Sequence, residues 1–404
     1  MKFELSGPGR IVFGPGTLSR AAVLAGGLGK RPLLVAGKRR AHLAPLVAEL
    51  AGAGRAVTDY TVSREPDVAA VEEGLSLARR NGCDCVIAVG GGSALDAGKA
   101  IAALIHQTGG LFDYLEVIGK ALPLEKPPAP LLAAPTTSGT GAEATCNAVI
   151  ASPTHRVKVS LRHPGLFPAV ALVDPELTYS LPPEETAASG LDALTQLIEP
   201  FVSATANPFT DALCREGLRR AGRSLFHVFS DGRDATARED MSVSALFSGI
   251  ALANAKLGAV HGLAGPLGGM TGAPHGRLCA SLLPAVMETN IRLLREGGDN
   301  SGALDKYAET ARLLTGRSGA RAEDGADWVR DLCEKMKIQG LKALGFQPDD
   351  MEVLVGKAGP RGDFYVKVKG QKEVYLVRRW VLNRVYRGPK EWSRTESKRR
   401  PKGR

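Results

Sequence analysis

Between Arg31 and about Asp174 the chain alternates short aliphatic runs with helix-like stretches, and this alternation constrains the fold more than any other feature. The runs PLLVAG, CVIAVGG, PLLAAP and AVALVD are interleaved with stretches such as LAPLVAELAGAG and SALDAGKAIAALI. Strand, helix, strand repetition of this kind implies a mostly parallel sheet covered by helices on both faces. Such sheets bind ligands at the carboxyl ends of their strands. The opening FELSGPGRIVFG reads as a two-stranded hairpin turning at Gly7-Pro8-Gly9, or as a strand that pairs across a dimer. After Asp174-Pro175 the texture changes to long helical stretches, so an all-helical second half is expected, with the boundary near residue 178. Region 317–327 reads as a polar loop.

A chain of 404 residues exceeds the usual single-core size, so two domains are the default. The formal charge of +10 would suit a nucleic-acid partner, but its distribution argues against one. Residues 361–404 hold 15 Lys and Arg against 4 Asp and Glu, which leaves the preceding 360 residues near neutral. The end, SRTESKRRPKGR, lacks the apolar residues that would offset ordering entropy and reads as disordered. Six scattered cysteines with no CxxC pair fit a reducing cytoplasm, Cys83 and Cys85 as small buried fillers. The N-terminus has no apolar h-region, and no run of about 18 apolar residues suggests a membrane span.

Three polar constellations carry the chemistry. The run Cys85–Val89 enters Gly90-Gly91-Gly92-Ser93 and then a helical stretch, a strand, side-chain-free turn and helix N-terminus that can cradle a pyrophosphate; a tight turn with Ser93 as N-cap reads equally well. The cluster Pro135–Glu143 follows the strand PLLAAP and so emerges at the same sheet edge, where its hydroxyls can contact phosphate and ribose or bond locally to backbone. The segment HGLAGPLGGMTGAPHG carries His261 and His275, and its glycines and prolines argue against one unbroken helix. Folded back, the two imidazoles can share a divalent metal, with Asp192 as the carboxylate.

Together GGGSALDAGKAIA, PTTSGTGAEAT, VALVDPELTYSLPPEETAASGLDALTQLIEP and HGLAGPLGGMTGAPHGRLCASLLP resemble the iron-containing (group III) alcohol dehydrogenase family over roughly residues 3–358. The resemblance implies an α/β dinucleotide-binding domain over 1–178 and an all-helical metal and substrate domain over 179–358, in a dehydroquinate synthase-like architecture. The segment 359–404 remains as a divergent basic tail. It also implies that Gly91, Gly92, Ser93, Ala94 and Leu95 wrap the pyrophosphate. Thr136, Thr137, Thr145 and Lys158 would line the nucleotide site, with Leu177 nearby. Asp192, His261 and His275 match three of the family's metal ligands and would be the catalytic groups, through a metal acting as Lewis acid.

Four departures from the family pattern matter. The fourth ligand position holds Gln196, so either its carbonyl oxygen ligates, or three side chains and water hold the metal, or the metal is lost and the polar pocket remains. Iron is the expected ion and zinc the alternative. Gly265 stands where members often carry a histidine thought to serve proton transfer. After the second strand, Gly37, Lys38 and Arg39, followed by Arg40, stand where a carboxylate would select NAD, so NADP(H) is the expected cofactor and NAD the alternative. Glu65-Pro66 replaces a common Asn-Pro. The expected activity is NAD(P)-dependent alcohol dehydrogenation or aldehyde reduction of a small molecule by a cytoplasmic homo-oligomer, most simply a homodimer. A metal-independent maleylacetate reductase-like enzyme is the rival. A weakened protein that binds nucleic acid through its tail is a third reading. The tail sequence PRGDFYVKVKGQKEVYLVRRWVLNRVYRGPKEW does not resemble the family, and its KVKG and EVYLVRRWVL stretches could pair as an added hairpin.

Overall fold

The computed structural model describes residues 2–38, 40–298, 301–357, 381–382 and 385–386. Eight strands lie in the first half: β1 (Ile11–Phe13), β2 (Pro32–Ala36), β3 (Thr58–Thr61), β4 (Cys85–Gly90), β5 (Leu131–Pro135), β6 (Asn147–Ser152), β7 (Val157–Arg162) and β8 (Val170–Val173). Six of them form one sheet in the order β1-β8-β5-β4-β2-β3, every neighbouring pair parallel. The four aliphatic runs read from the sequence are β2, β4, β5 and β8, and every residue of them is buried. Their side chains alternate between faces as a pleat requires. Leu33, Val35, Val86 and Ala88 join one core, while Leu34, Ala36, Ile87 and Val89 join the core on the other side.

Among the helices of this half, α1 (Ala21–Gly26), α2 (Ala44–Gly52), α3 (Val68–Arg80), α4 (Gly92–Leu104) and α5 (Leu111–Tyr114), α4 lies closest to the sheet. A Cβ on Gly98 would stand 2.7 Å from the Ala88 Cβ, so only glycine permits that approach. The order in which strands are added reverses between β4, which leads towards β5, and β2, which leads towards β3. That switch point opens a crevice above their carboxyl ends.

The second half is built from α6 (Pro183–Phe201), α7 (Pro208–Ser230), α8 (Ala235–Ala255), α9 (Ala259–Thr271), α10 (His275–Gly297), α11 (Ala303–Thr315), α12 (Ala322–Lys335) and α13 (Met351–Lys357), with no strand among its described residues. Helix α6 is its axis, packed against α7, α8 and α10 and buried from Gly190 through Phe201. Asn207 caps α7 through the N–H groups of Phe209 and Thr210, and Asp234 caps α8 through Ala237. The architecture is a parallel α/β unit followed by an all-helical unit. No single helix among the described residues is long and apolar enough to cross a membrane; α8 and α9 pass that test only as a pair bent by 100°.

Several sequence expectations need correction. The opening does not fold back as a hairpin: β1 is short and pairs in parallel with β8, because Ile11–Phe13 meet the open edge at Ala171–Val173. The 317–327 loop ends early, since α12 starts at Ala322. Asp324 accepts the Arg321 N–H at 2.7 Å, and Ala322, Gly325 and Ala326 are buried. The chain breaks and folds back between His261 and His275 as expected, α9 ending at Thr271 before Gly272, whose φ of 71° is left-handed, and α10 beginning at His275; only the place differs, since α9 runs on through Gly265, Pro266, Gly268 and Gly269. The cause is tertiary: a Cβ on Gly269 would come within 2.6 Å of the Val157 Cα, so the glycines let α9 lie against β7. In the tail, Val381 and Leu382 are helical and buried in the helical core, where a strand was one reading; the rest of both proposed strands lies outside the described residues. So do the basic end 393–404 and Arg39.

Candidate active site

Two adjoining pockets occupy the crevice between the two halves. One, of about 520 Å³, is lined by Gly91, Gly92 and Ser93 on the sheet side and by Asp192, Gln196, His261 and His275 on the helical side. The other, of about 570 Å³, runs over the ends of β2 and β4 past Gly37, Lys38, Thr136 and Leu177. Glu65, Gly91, Ser93 and Glu185 line both, so the two form one continuous groove.

On the sheet side, the backbone of β4 passes through Gly90 and Gly91 into α4. The first intrahelical bonds there run from Ala94 and Leu95 to the Gly91 carbonyl. The N–H groups of Gly92 and Ser93 stand ahead of that ladder, at the positive end of the helix dipole. Thr137, Thr140, Thr145 and Lys158 complete this wall. Ala94 borders the second pocket, whereas the Leu95 side chain lines neither and packs in the core. Lys158 is almost buried, ion-paired to Glu65 at 2.5 Å and reaching the Ala273 carbonyl at 3.4 Å, so the Glu65 that replaces a common asparagine is neutralised. The hairpin β6–β7 that carries Lys158 was not read from the sequence, although V-K-V-S-L alternates as a strand should.

In the basic turn after β2, Arg40 is held by Asp59 and by Thr61 Oγ1, which leaves Lys38 as the described cation of that turn lining the pocket. Beneath the cradle, Lys99 is fully buried and donates to Thr145 Oγ1 (2.7 Å) and the Asn147 carbonyl (3.0 Å). Desolvation lowers its pKa to about 8 despite Asp96 and Glu143 nearby. Desolvation also pushes Asp96, which lines the cavity, up to about 6, and the buried Glu143 up to about 7.

On the helical side, α6 presents Asp192, Gln196 and Glu199 at spacings of four and three, on one helical face. Helix α9 supplies His261 and α10 supplies His275 at its first position. The turn at Gly272 aims the two imidazoles at each other, with ring centroids 5.3 Å apart. Gly276 then lets α10 press against α6, because a Cβ there would stand 2.6 Å from the Ala188 carbonyl oxygen. Asp192 Oδ1 lies 3.5 Å from His261 Nε2 and 3.8 Å from His275 Nε2.

Two residues of this cluster were missed by sequence reasoning. Cys279 Sγ lies 3.5 Å from His275 Nε2 and 3.8 Å from His261 Nε2. Its signal was the four-residue spacing from His275, the same spacing that links Asp192 to Gln196. Glu199 bonds His261 Nδ1 at 2.7 Å through one oxygen and accepts the Val260 N–H at 2.7 Å through the other. It thereby orients the ring with Nε2 towards Asp192, as carboxylates do for metal-bound histidines.

A divalent cation suits these groups. Donor atoms of Asp192, His261, His275 and Cys279 all lie within 4.8 Å of one another. Asp192 Oδ1 and Gln196 Oε1 are buried without a hydrogen-bond partner, which is costly unless something positive satisfies them. Burial opposes charge on His261, yet Cys279, Asp192 and Glu199 outweigh it and raise its pKa well above the ordinary value, so the local field favours a cation. A Cβ added at Gly265 would meet nothing within 4 Å, so this position opens into the cavity it lines.

Known proteins share this sequence pattern and fold. Residues 8–175 match the family model for iron-containing alcohol dehydrogenase, and residues 186–363 match that for the C-terminal part of the Fe-containing alcohol dehydrogenase family. Alcohol dehydrogenase 4 of Saccharomyces cerevisiae is 37% identical over 308 residues, 76% of this chain and 77% of that protein. The alcohol dehydrogenase from Oenococcus oeni superposes with a TM-score of 0.84 at 31% identity, covering 95% of this chain and all of that one. Sulfoacetaldehyde reductase from Bifidobacterium kashiwanohense, solved in complex with NAD+, superposes with a TM-score of 0.80 at 29% identity, covering 95% and 99%. With both halves matched in order and the fold shared from end to end, this chain belongs to the iron-containing alcohol dehydrogenase family and is an oxidoreductase acting on CH–OH groups.

Proposed function

We propose that the chain interconverts a small alcohol and its aldehyde with NADP(H), using a divalent metal held by Asp192, His261 and His275 beside Gln196. The observation that carries this reading is the meeting, across one crevice, of a glycine cradle from β4–α4 and a cation-favouring cluster from α6, α9 and α10. A metal in the cluster would supply Lewis acidity to the substrate carbonyl, and a nicotinamide beside it would supply or accept the hydride.

The chain's own residues do the rest. Backbone N–H groups at Gly92 and Ser93 bind pyrophosphate, and the threonines at 136, 137 and 145 position the ribose and phosphates. Lys158, braced by Glu65, offers a positioned ammonium donor to the nucleotide wall, its charge offset by that carboxylate. Glu199 holds the His261 ring, and the helical half covers the reacting centre and excludes water. Gly265 leaves room where an imidazole would stand, so the alcohol proton leaves through water, the nucleotide ribose or another side chain.

Lys38 supports the preference for NADP(H), because no carboxylate follows β2 to repel a 2′-phosphate. Outer strand β1 and the exposed Phe3, Leu5 and Ile11 beside it support a homo-oligomer. All six cysteines are unpaired, which supports a reducing cytoplasm. The test combines metal analysis with NADH and NADPH oxidation against an aldehyde panel, with and without chelator. Chelator-resistant turnover would favour the metal-independent reductase, and activity with NADH alone would refute the cofactor preference. Lys38→Ala is expected to raise KM for NADPH and leave that for NADH unchanged.

A further inference from the structure

We propose that Cys279 is the fourth metal ligand of this cleft, its thiolate taking the place that Gln196 fills poorly, and that the resulting Asp, His, His, Cys set selects zinc over ferrous iron. This rests on the reading that the cluster holds a metal, and it names the donors and the ion.

Geometry carries the argument. A tetrahedral ion with metal–nitrogen bonds of 2.0–2.1 Å and a metal–sulfur bond of about 2.3 Å separates nitrogen from sulfur by about 3.6 Å and nitrogen from oxygen by about 3.3 Å. Cys279 Sγ stands 3.5 and 3.8 Å from the two Nε2 atoms, and Asp192 Oδ1 stands 3.5 and 3.8 Å from the same two. The two sulfur edges match those of one coordination tetrahedron, and the two oxygen edges are somewhat longer, so a small inward shift of Asp192 would close the set. Both imidazoles offer Nε2, and Glu199 occupies the Nδ1 of His261 on the far side. Cys279 is fully buried, yet its sulfur abuts two imidazoles instead of apolar carbon alone, and beside it Asp192 Oδ1 has no hydrogen-bond partner.

Chemistry decides the ion. A thiolate is a soft donor that favours zinc, and Fe2+ stands near the weak end of the divalent series at a given site. On binding, the Cys279 thiol gives up its proton to solvent and its sulfur pair forms the metal bond. One carboxylate and one thiolate then neutralise a divalent ion, whereas Asp192 with two imidazoles and Gln196 would leave one net positive charge. The buried pocket therefore holds a neutral centre, at a lower desolvation cost.

Substitution of Co2+ into the chelator-treated protein reads the bond directly. One equivalent should produce a sulfur-to-cobalt charge-transfer band in the near ultraviolet. That band should persist in Gln196→Ala and disappear in Cys279→Ala and Cys279→Ser. Zinc affinity, measured by chelator competition, should fall at least about tenfold in the cysteine variants. Zinc-edge X-ray absorption of the unaltered protein, which needs no variant to fold, should show a sulfur at about 2.3 Å. Stoichiometric metal without the band or the sulfur shell would overturn the cysteine assignment and leave the metal reading standing. Tighter Fe2+ than Zn2+ binding would overturn the selectivity. Failure of the unaltered protein to take up any metal would overturn both.

Discussion

Gly276 and Gly265 belong to one glycine-rich stretch, and replacing each by alanine should have opposite effects. At Gly276 the new Cβ would stand 2.6 Å from the Ala188 carbonyl oxygen and 3.5 Å from the Asp192 Cβ. The obstacle is backbone of a helix buried in the core, so it cannot swing aside. Ordinary contact begins near 3.4 Å, so the start of α10 must retreat from α6 by about 0.8 Å. Overpacking of this kind costs about 1–3 kcal/mol. The larger effect falls on the cluster, because His275 directly precedes Gly276 and metal–ligand distances tolerate only about 0.2 Å. Gly276→Ala should therefore weaken metal binding at least about tenfold while nucleotide binding, which rests on β4 and α4, stays close to unchanged. Gly265 lies inside α9 with open space around the added carbon, so Gly265→Ala should stabilise the protein by up to about 1 kcal/mol through helix propensity alone. Chelator competition and thermal unfolding with both variants provide the measurement. Unchanged metal affinity in Gly276→Ala, or equal destabilisation by both, would refute the close-approach argument.

Glu199→Gln leaves one side-chain acceptor where two are used, by Val260 N–H and His261 Nδ1, so the ring loses its fixed orientation; metal affinity should fall about 10–100-fold, checked by the same competition assay. Glu143 supplies a pH dependence. Burial raises its folded pKa to about 7 from 4.5, so the native state keeps a proton that the unfolded chain releases between those values. Stability should accordingly fall as pH rises from about 4.5 to 7, by up to about 3 kcal/mol from this group, and level off above. Glu143→Gln should flatten the profile of melting temperature between pH 5 and 7, and parallel profiles for the two proteins would remove Glu143 as its source.

Much of the fold was legible because its central strands are buried on both faces. Continuous aliphatic runs such as Cys85–Val89 have few other uses, and the glycine turn after them marks the crevice at the sheet's switch point. Edge elements were harder. Thr58–Thr61 is polar because β3 borders the sheet, and β6–β7 lies apart from it, so neither shows the same apolar density. The path of α9 through four glycines and a proline contradicts local propensity, and only its contact with β7 explains it.

The amino-acid pattern by itself determined the four central strands and the long helices of the second half, and it singled out the glycine turn after β4 and Asp192, His261 and His275 as candidate binding groups. Tertiary structure alone decided that Cys279 and Glu199 join them, that Lys158 is braced by Glu65, and that β1 closes the sheet edge instead of folding on itself. The physical reason is range. Burial periodicity and backbone preference act over a few residues, whereas Glu199 meets His261 across 62 positions of sequence. Such a meeting is set by how closely α6, α9 and α10 can pack, and at α10 that depends on the missing side chain of Gly276.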